Sequence, residues 1–211
     1  MTSSSVPAPP RSAPLSVVAV VGSTHRPSKT AVLVEAILDE LAAVLPVDTH
    51  VVRLEEIGPQ LAGALHRGQL PAAVESELTR IEHADLLVVA TPVYRASFTG
   101  LFKHLFDLIG QYALVDTPVL LAATGGSERH ALILEHQLRP LFAFFQALTL
   151  HLGVYAHDGD FTDYRVTSPL LAERITTVVR RGVPLILGAQ TEKRRLDHEL
   201  ATTGSTVAAG L

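Results

Sequence analysis

The sequence contains no cysteine and no tryptophan among its 211 residues. Without cysteine the chain cannot form disulfides, thiolate metal sites or cysteine nucleophiles. Its ten histidines form no His-Glu-x-x-His motif, and no serine stands in a Gly-x-Ser-x-Gly motif. We therefore predict neither a metal site nor a hydrolase-type catalytic residue. A cysteine-free chain is typical of a reducing compartment, so we expect a cytoplasmic protein.

Long apolar runs are also missing, since no stretch approaches the ~18 continuous apolar residues of a membrane helix. The opening MTSSSVPAPPRSAPLS lacks the charged start and apolar stretch of a secretory signal. We expect residues 1–14 to form a flexible tail, and residues 191–211 to form a loose C-terminal tail. No association with a membrane is predicted.

The charge is low and nearly balanced, with 17 Lys and Arg against 21 Asp and Glu and a net charge of -4. Basic residues are scattered, apart from the short run Lys193-Arg194-Arg195. Nucleic acids and anionic surfaces attract proteins with a basic face. We therefore expect no nucleic-acid partner.

What the chain does contain is a series of short apolar runs, within a composition that is 47% hydrophobic. Residues 15–22, 84–92 and 117–126 are rich in Val, Leu and Ala, and each ends in glycine or proline. Unbroken apolar runs of this length are typical of parallel strands that are covered on both faces. Residues 47–56 are more polar and resemble an edge strand, and residues 148–158 provide a fifth candidate.

Segments of helical period separate these runs. They cover residues 28–45, 74–84, 99–114, 130–148 (bent at Pro140) and 170–188. Strict alternation of strands and helices predicts an α/β fold with a doubly wound, five-stranded parallel sheet. The length suits a single domain, which we place at residues 15–190.

In such sheets ligands bind at the carboxyl ends of the strands. The first loop at that edge is GSTHRPSKT (22–30). Ser23, Ser28 and Thr30 offer hydroxyl donors at the start of a helix, where anions are attracted. Arg26 and Lys29 add charge. In a plainer interpretation Ser28 only caps the helix and both cations face solvent.

The second and third loops are TPVYRASFTG (91–100) and ATGGS (123–127). Tyr94 could offer an aromatic face or a hydroxyl to a ligand, or it could be an ordinary half-buried surface residue. The Gly125-Gly126 pair permits close approach of backbone N–H groups to a planar ligand, or forms a turn without chemical meaning. Three such loops at one sheet edge favour a shared binding site.

The segments ATPVYRASFTGLFKHLFDLI and TPVLLAATGGSERHALILEHQLRPLF resemble the flavodoxin-like NAD(P)H-dependent FMN reductases, with similarity over residues 16–185. They are most similar to the reductases that supply reduced FMN to alkanesulfonate monooxygenases, in particular the methanesulfonate branch. The resemblance implies a flavodoxin-like fold, FMN and NADH or NADPH as cofactors, and hydride transfer that needs no catalytic side chain.

The resemblance also implies the binding residues. It places the FMN phosphate at Ser23, Arg26, Ser28, Lys29 and Thr30, the isoalloxazine and ribityl groups at Pro92, Val93 and Tyr94, and the pyrimidine edge at Thr124, Gly125 and Gly126. Many family members carry Gly-Ser-x-Arg in the first loop, whereas His25 stands at the arginine position here. Whether His25 or Arg26 contacts the phosphate is left open.

The resemblance further implies a homo-oligomer, dimer or tetramer, with an FMNH2-dependent monooxygenase as partner and NADH favoured over NADPH. In sulfonate-linked members the helix after Tyr94 carries an inserted aromatic or imidazole residue and forms a π-helix at a tetramer interface. Phe98 stands near that place and His104 lies one to two turns further on, and the insertion is assigned to neither. Two alternatives stay open: a quinone, azo or chromate reductase with tightly bound FMN, and a flavodoxin-type electron carrier. Because Tyr94 is the only tyrosine in the three loops, we favour an exchangeable flavin.

Overall fold

The computed structural model describes the backbone of residues 13–208 and the side chains of residues 13–199. Its centre is a parallel sheet. The strands are β1 (Leu15–Val21), β2 (Val47–Arg53), β3 (Leu86–Pro92), β4 (Pro118–Gly125), β5 (Leu148–Thr149) and β6 (Val154–His157). Their order is β2-β1-β3-β4-β5, and β6 also pairs with β4. This is the flavodoxin-like order, so the predicted fold class is confirmed.

The fifth position of the sheet is divided between two short strands. β5 pairs with the start of β4 and β6 with its end, where Ala122 to Gly125 lie opposite Val154 to His157. Gly153 lies in the break, and a Cβ atom there would stand 2.8 Å from the carbonyl oxygen of Leu121. The single strand predicted at 148–158 is therefore interrupted before this close approach.

Helices cover both faces of the sheet. On one face lie α1 (Lys29–Val44) and α6 (Pro169–Ala208), and on the other α2 (Leu54–Leu61), α3 (Ala72–Glu82), α4 (Gly100–Asp107) and α5 (Arg139–Phe144). Successive strand residues point to opposite faces, so Val17 and Ala19 enter one core while Val18 and Val20 enter the other. Burial on both sides explains why every residue of β3 is buried.

α2 was not predicted, because residues 54–56 were assigned to the edge strand. Leu54, Gly58 and Leu61 are buried at helical spacing, but Gly58 and Pro59 are poor helix formers and obscure that pattern. The glycine is required by packing, since a Cβ atom at Gly58 would lie 2.8 Å from a methyl group of Leu101 in α4.

A π-helix does occur, but in the helical segment after β4. It covers Leu134–Leu138 and includes His136, whereas α4 is a short α-helix that ends at Asp107. The π-helix that the resemblance implies for the helix after Tyr94 is therefore not found in α4. Pro140 is the second residue of α5, directly after the π-helix.

α6 continues beyond the predicted domain boundary at residue 190. Residues 191–208 are helical rather than loose, and their start is fastened to the sheet because Lys193 pairs with Asp85 at 3.0 Å. Gln190 also donates to the Asp85 carbonyl oxygen.

The predicted N-terminal tail lies outside the described residues except for residues 13 and 14. None of the helices that the structure describes is long and apolar enough to cross a membrane.

Between β6 and α6 the chain forms a small antiparallel hairpin of β7 (Phe161–Thr162) and β8 (Arg165–Val166). Its turn residues Asp163 and Tyr164 both have positive φ, at 47° and 54°. Two consecutive residues with positive φ are typical of a type I′ turn, whose twist suits a two-residue hairpin. This hairpin stands beside the carboxyl edge of the sheet and contributes to the site below.

Candidate functional site

The three predicted loops meet around one cleft of about 260 Å³ at the carboxyl edge of β1, β3 and β4. All the predicted site residues line it except Arg26. The lining residues are Ser23, His25, Pro27, Ser28, Lys29, Thr30, Pro92, Val93, Tyr94, Thr124, Gly125, Gly126, Asp158 and Tyr164. The cleft lies beside β1 and β3, where the strand order reverses. That position agrees with the general rule for ligand sites in open α/β sheets.

Hydrogen bonds fasten the three loops to one another. The Gly22 N–H donates to the Ala90 carbonyl at 2.7 Å, and the Val93 N–H donates to the Thr124 carbonyl at 2.7 Å. The Thr99 hydroxyl donates to the Gly22 carbonyl at 3.1 Å. A Cβ atom at Gly22 would lie 2.9 Å from Phe102 and 3.0 Å from the Ala90 oxygen, so only glycine fits this approach. The walls of the cleft are therefore fixed relative to each other.

The first loop leads directly into the N-terminus of α1. The Ser28 hydroxyl accepts from the Ala31 N–H at 3.2 Å and caps the helix. Ser23 is 1% exposed, and its hydroxyl oxygen has no hydrogen-bond partner in the described structure. A buried hydroxyl without a partner is unfavourable unless a ligand or water supplies one. Together with the positive end of α1, this hydroxyl is suited to an anionic oxygen.

Two threonine hydroxyls form part of the cleft wall. Thr30 in α1 and Thr124 in β4 approach to 2.6 Å between their Oγ1 atoms, and both residues are buried. Either hydroxyl can donate to the other, so each satisfies one bond of its partner. The pair joins the first loop to the third.

Arg26 and His25 point to different places. Arg26 lies outside the cleft, where its guanidinium pairs with the carboxylates of Glu55 and Glu56 in α2. The hydrogen bond and charge of Glu55, followed by those of Glu56, raise the pKa of Arg26. His25 lines the cleft, with its Nδ1 atom 3.4 Å from the Tyr94 hydroxyl. Of the two candidates that the sequence left open, the structure brings His25 into the cleft.

The second loop presents Tyr94 through a tight turn. Tyr94 and Ser97 exchange two backbone hydrogen bonds, of 2.9 and 3.2 Å, around Arg95 and Ala96. These two turn residues have φ of 51° and 68°, a conformation that is costly for residues with a Cβ atom. Tyr94 is 44% exposed. Part of its ring and its hydroxyl are thus available to a ligand.

The third loop places two glycines in different surroundings. A Cβ atom at Gly125 would lie 2.3 Å from the hydroxyl oxygen of Tyr155. A Cβ atom at Gly126 would have no described atom within 4 Å. The Tyr155 hydroxyl donates to the Ser127 carbonyl at 2.5 Å. Burial raises the pKa of Tyr155, and the nearby Asp158, Asp160 and Glu128 add to this effect, which keeps the phenol protonated as a donor.

Asp158 and Tyr164 also line the cleft, and the sequence analysis missed both. Asp158 follows β6 and pairs with Lys29 at 2.8 Å. It stands at the carboxyl end of a predicted strand. Because ligands bind at the carboxyl ends of parallel strands, Asp158 could have been predicted as a site residue. Tyr164 belongs to the unpredicted hairpin and is 46% exposed. No local signal connects it with the sheet edge.

The strand order and the cleft at the β1–β3 reversal define a protein of the flavodoxin-like α/β class, with a site suited to an anion. The family model for NADPH-dependent FMN reductases matches residues 15–162, and the chain belongs to that family. The membership expected from the two quoted segments is therefore confirmed.

Individual relatives agree with this membership. The chain is 64% identical over 174 residues to the NADH-dependent FMN reductase SfnE of Pseudomonas putida, which covers 82% of this chain and 94% of the relative. It is 57% identical over 175 residues to an NADPH-type FMN reductase of Pseudomonas aeruginosa, which covers 83% and 94%. The apo structure of an NADH:FMN oxidoreductase, EmoB, superposes with a TM-score of 0.72 at 29% identity, covering 82% of this chain and 89% of that one.

Proposed function

We propose that this protein transfers a hydride from NADH or NADPH to FMN and supplies the reduced FMN to an FMNH2-dependent alkanesulfonate monooxygenase. Family membership and the names of the relatives support the FMN reductase activity. One observation on this chain's own residues supports the binding of FMN: the buried hydroxyl of Ser23 lies in the cleft and has no hydrogen-bond partner among the residues that the structure describes. A phosphate oxygen would satisfy it.

The phosphate end of the site is the first loop. Ser23 and Thr30 offer hydroxyl groups, Ser28 caps the helix that points its N–H groups at the anion, and Lys29 carries a formal charge. His25 stands where the charged contact is needed, while Arg26 is held by Glu55 and Glu56. We therefore assign the phosphate to these cleft residues and give Arg26 the role of fixing the loop to α2.

The ring end is formed by the second and third loops. Pro92, Val93 and Tyr94 form one wall for the isoalloxazine and ribityl groups, and Thr124, Gly125 and Gly126 face the pyrimidine edge. The open space at Gly126 leaves room for backbone N–H groups to approach a planar ligand. When bound, FMN itself supplies the redox chemistry by accepting a hydride from the nicotinamide. The protein's contribution is to orient the two rings.

We assign NADH as the favoured reductant, with NADPH as the alternative. The relative at 64% identity is NADH-dependent, and the relative at 57% identity is of the NADPH type.

We also propose a cytoplasmic homo-oligomer, either a dimer or a tetramer. Phe144 at the end of α5 is 61% exposed and lines a surface groove together with Ile109 and Leu141. Exposed apolar grooves of this kind are typical of surfaces that other protein chains cover. The tetramer and the monooxygenase partner rest on the resemblance to sulfonate-linked reductases.

A second candidate function is a reductase of quinones, azo compounds or chromate that retains its FMN. Tyr164 supports it, because the cleft has two tyrosines rather than the single Tyr94 found in the predicted loops. Aromatic contact on more than one side would hold a flavin more firmly. A flavodoxin-type electron carrier is the third candidate.

One experiment separates these functions. The purified protein is examined by visible spectroscopy, and oxidation of NADH and of NADPH is then measured with and without added FMN. A colourless protein whose NADH oxidation depends on FMN supports the proposed function. A yellow protein that reduces quinones without added FMN supports the second candidate. Failure to oxidise either nucleotide, with FMN or with a quinone as acceptor, contradicts both and leaves the electron carrier.

A further inference from the structure

An ion pair between Lys29 and Asp158 joins the first loop to the segment after β6 in the lining of the cleft. Their Nζ and Oδ1 atoms lie 2.8 Å apart, and both residues line the cleft. Lys29 is the first residue of α1, directly after the capping Ser28. It therefore stands at the helix end where the FMN phosphate is proposed to bind, and this inference rests on that proposed function. The lysine's charge is already engaged by a carboxylate.

The Asp158 side chain is not needed to shape its own segment. The turn that it begins, Asp158–Asp160, is held by neighbours: the Gly159 N–H donates to His157 Nδ1 at 3.1 Å, and the His157 N–H donates to Asp160 Oδ2 at 2.9 Å. The Asp158 carboxylate takes no part in these bonds and is 63% exposed. Its contact with Lys29 is thus a feature of the cleft and not a requirement of the turn.

A carboxylate at this position opposes phosphate binding in two ways. A phosphomonoester carries about −1.5 to −2 charge at pH 7, so a nearby aspartate repels it. The phosphate must also compete with Asp158 for the Lys29 ammonium. A site selected only for tight FMN binding would be expected to have a neutral residue here.

We propose that Asp158 is an affinity-setting residue, which competes with the flavin phosphate for Lys29 and thereby speeds the release of flavin. An enzyme that hands its flavin to a second protein must let it leave in every cycle. Asp158 weakens the hold on the phosphate while the ring contacts stay unchanged. Its effect is accordingly specific to flavins that carry the phosphate.

The test measures binding of FMN and of riboflavin to the full-length protein by quenching of flavin fluorescence. Asp158→Asn keeps the side-chain shape but removes the negative charge that pairs with Lys29. We expect this variant to bind FMN about threefold to tenfold more tightly, which is the size of effect typical of one partly exposed ion pair. Stopped-flow displacement should show correspondingly slower FMN release. Binding of riboflavin, which lacks the phosphate, should not change.

Two further variants make the test specific. Asp163→Asn removes the same charge from an exposed turn residue of the neighbouring hairpin, and it should leave FMN binding unchanged. In a Lys29→Met background, Asp158→Asn should gain much less than it does with Lys29 present. Thermal unfolding of each variant checks that the fold is retained.

The proposal is overturned if Asp158→Asn leaves FMN binding as it is, if riboflavin gains equally, or if the full gain persists without Lys29. None of these results affects the proposed reductase activity, provided that the unaltered protein oxidises NADH in the presence of FMN. Conversely, a protein without FMN-dependent turnover contradicts the proposed function whatever the binding data show.

Discussion

The Oγ1 atoms of Thr30 and Thr124 lie 2.6 Å apart in the buried wall of the cleft. Thr30 lies in the first turn of α1 and Thr124 near the end of β4, so this single contact links two segments that are far apart in the chain. Because both residues are buried, a hydroxyl that loses its partner has little access to solvent. The contact therefore affects both the stability of the fold and the shape of the site.

We expect Thr124→Val to lower the free energy of unfolding by about 1–3 kcal/mol, since it leaves the Thr30 hydroxyl without its partner. The double variant Thr30→Val with Thr124→Val should recover part of this loss, because both polar groups are then removed. Urea denaturation followed by circular dichroism measures both effects. If the double variant loses as much as the sum of the two single variants, the hydroxyls are not coupled.

The two glycines of the third loop should respond differently to a methyl group. Gly125→Ala places a Cβ atom 2.3 Å from the Tyr155 hydroxyl oxygen, so the tyrosine must move. We expect a loss of about 1–3 kcal/mol in the free energy of unfolding, together with weaker FMN binding. Gly126→Ala is the matched control for stability alone, because its new Cβ atom meets no protein atom within 4 Å while Gly126 itself belongs to the proposed flavin site.

Tyr155→Phe provides a second check on that contact. It removes the hydroxyl oxygen that the alanine methyl would strike, so Gly125→Ala should cost less in the Tyr155→Phe background than in the original protein. An equal cost in both backgrounds, measured by urea denaturation, would show that the steric explanation is wrong.

The two cationic residues of the first loop should differ in how much they contribute to FMN binding, because only one of them lines the cleft. Lys29→Ala should weaken FMN binding about tenfold, since a charge-assisted contact with a phosphate is lost. Arg26→Ala should change FMN binding less than about twofold, because its guanidinium faces Glu55 and Glu56 outside the cleft. Fluorescence titration with FMN compares the two. A larger effect at Arg26 than at Lys29 would contradict the assignment of the phosphate site.

The pH dependence of stability should include a contribution from Glu82. Burial raises the pKa of this carboxyl, but the hydrogen bonds from Arg67 and the Gly110 N–H and the charges of Arg67 and His83 outweigh it, so the net pKa is lower than its ordinary value of 4.5. A pKa that is lower in the folded state stabilises the fold above pH 4.5, and this stabilisation is lost as the pH falls below that value.

Glu82→Gln removes this titration. We expect its melting temperature to lie below that of the original protein near pH 7, and the difference to shrink as the pH falls below about 4.5. Asp163→Asn, at an exposed turn position, serves as the control. A constant difference between pH 3 and pH 7 would exclude the proposed linkage.

The sheet and most of the cleft could be predicted because their signals are local. Unbroken apolar runs identify buried strands, and the residues that follow Val21 and Pro92 must then lie at one edge of a parallel sheet. The resemblance added the identity of the ligand. Neither the apolar runs nor the resemblance depends on how side chains that are distant in the sequence pair.

The structure departs from the sequence-based expectations where a residue's position depends on a distant partner. Arg26 was expected in the site because the sequence gives no sign of α2, whose Glu55 and Glu56 hold its guanidinium outside the cleft. Tyr164 was missed because its hairpin has only two residues in each strand. α6 was ended too early because its polar second half has no apolar period, although Lys193 fastens it to Asp85.

The most direct test of the central claim is the Michaelis constant for FMN and for riboflavin during NADH oxidation by the original protein and by Ser23→Ala. The Ser23 hydroxyl has no protein partner in the described structure, so alanine should leave the fold intact. The account predicts FMN-dependent NADH oxidation, with a constant for FMN about tenfold higher in Ser23→Ala and an unchanged constant for riboflavin. Equal constants for FMN in the two proteins, or no oxidation of NADH with FMN, would contradict it.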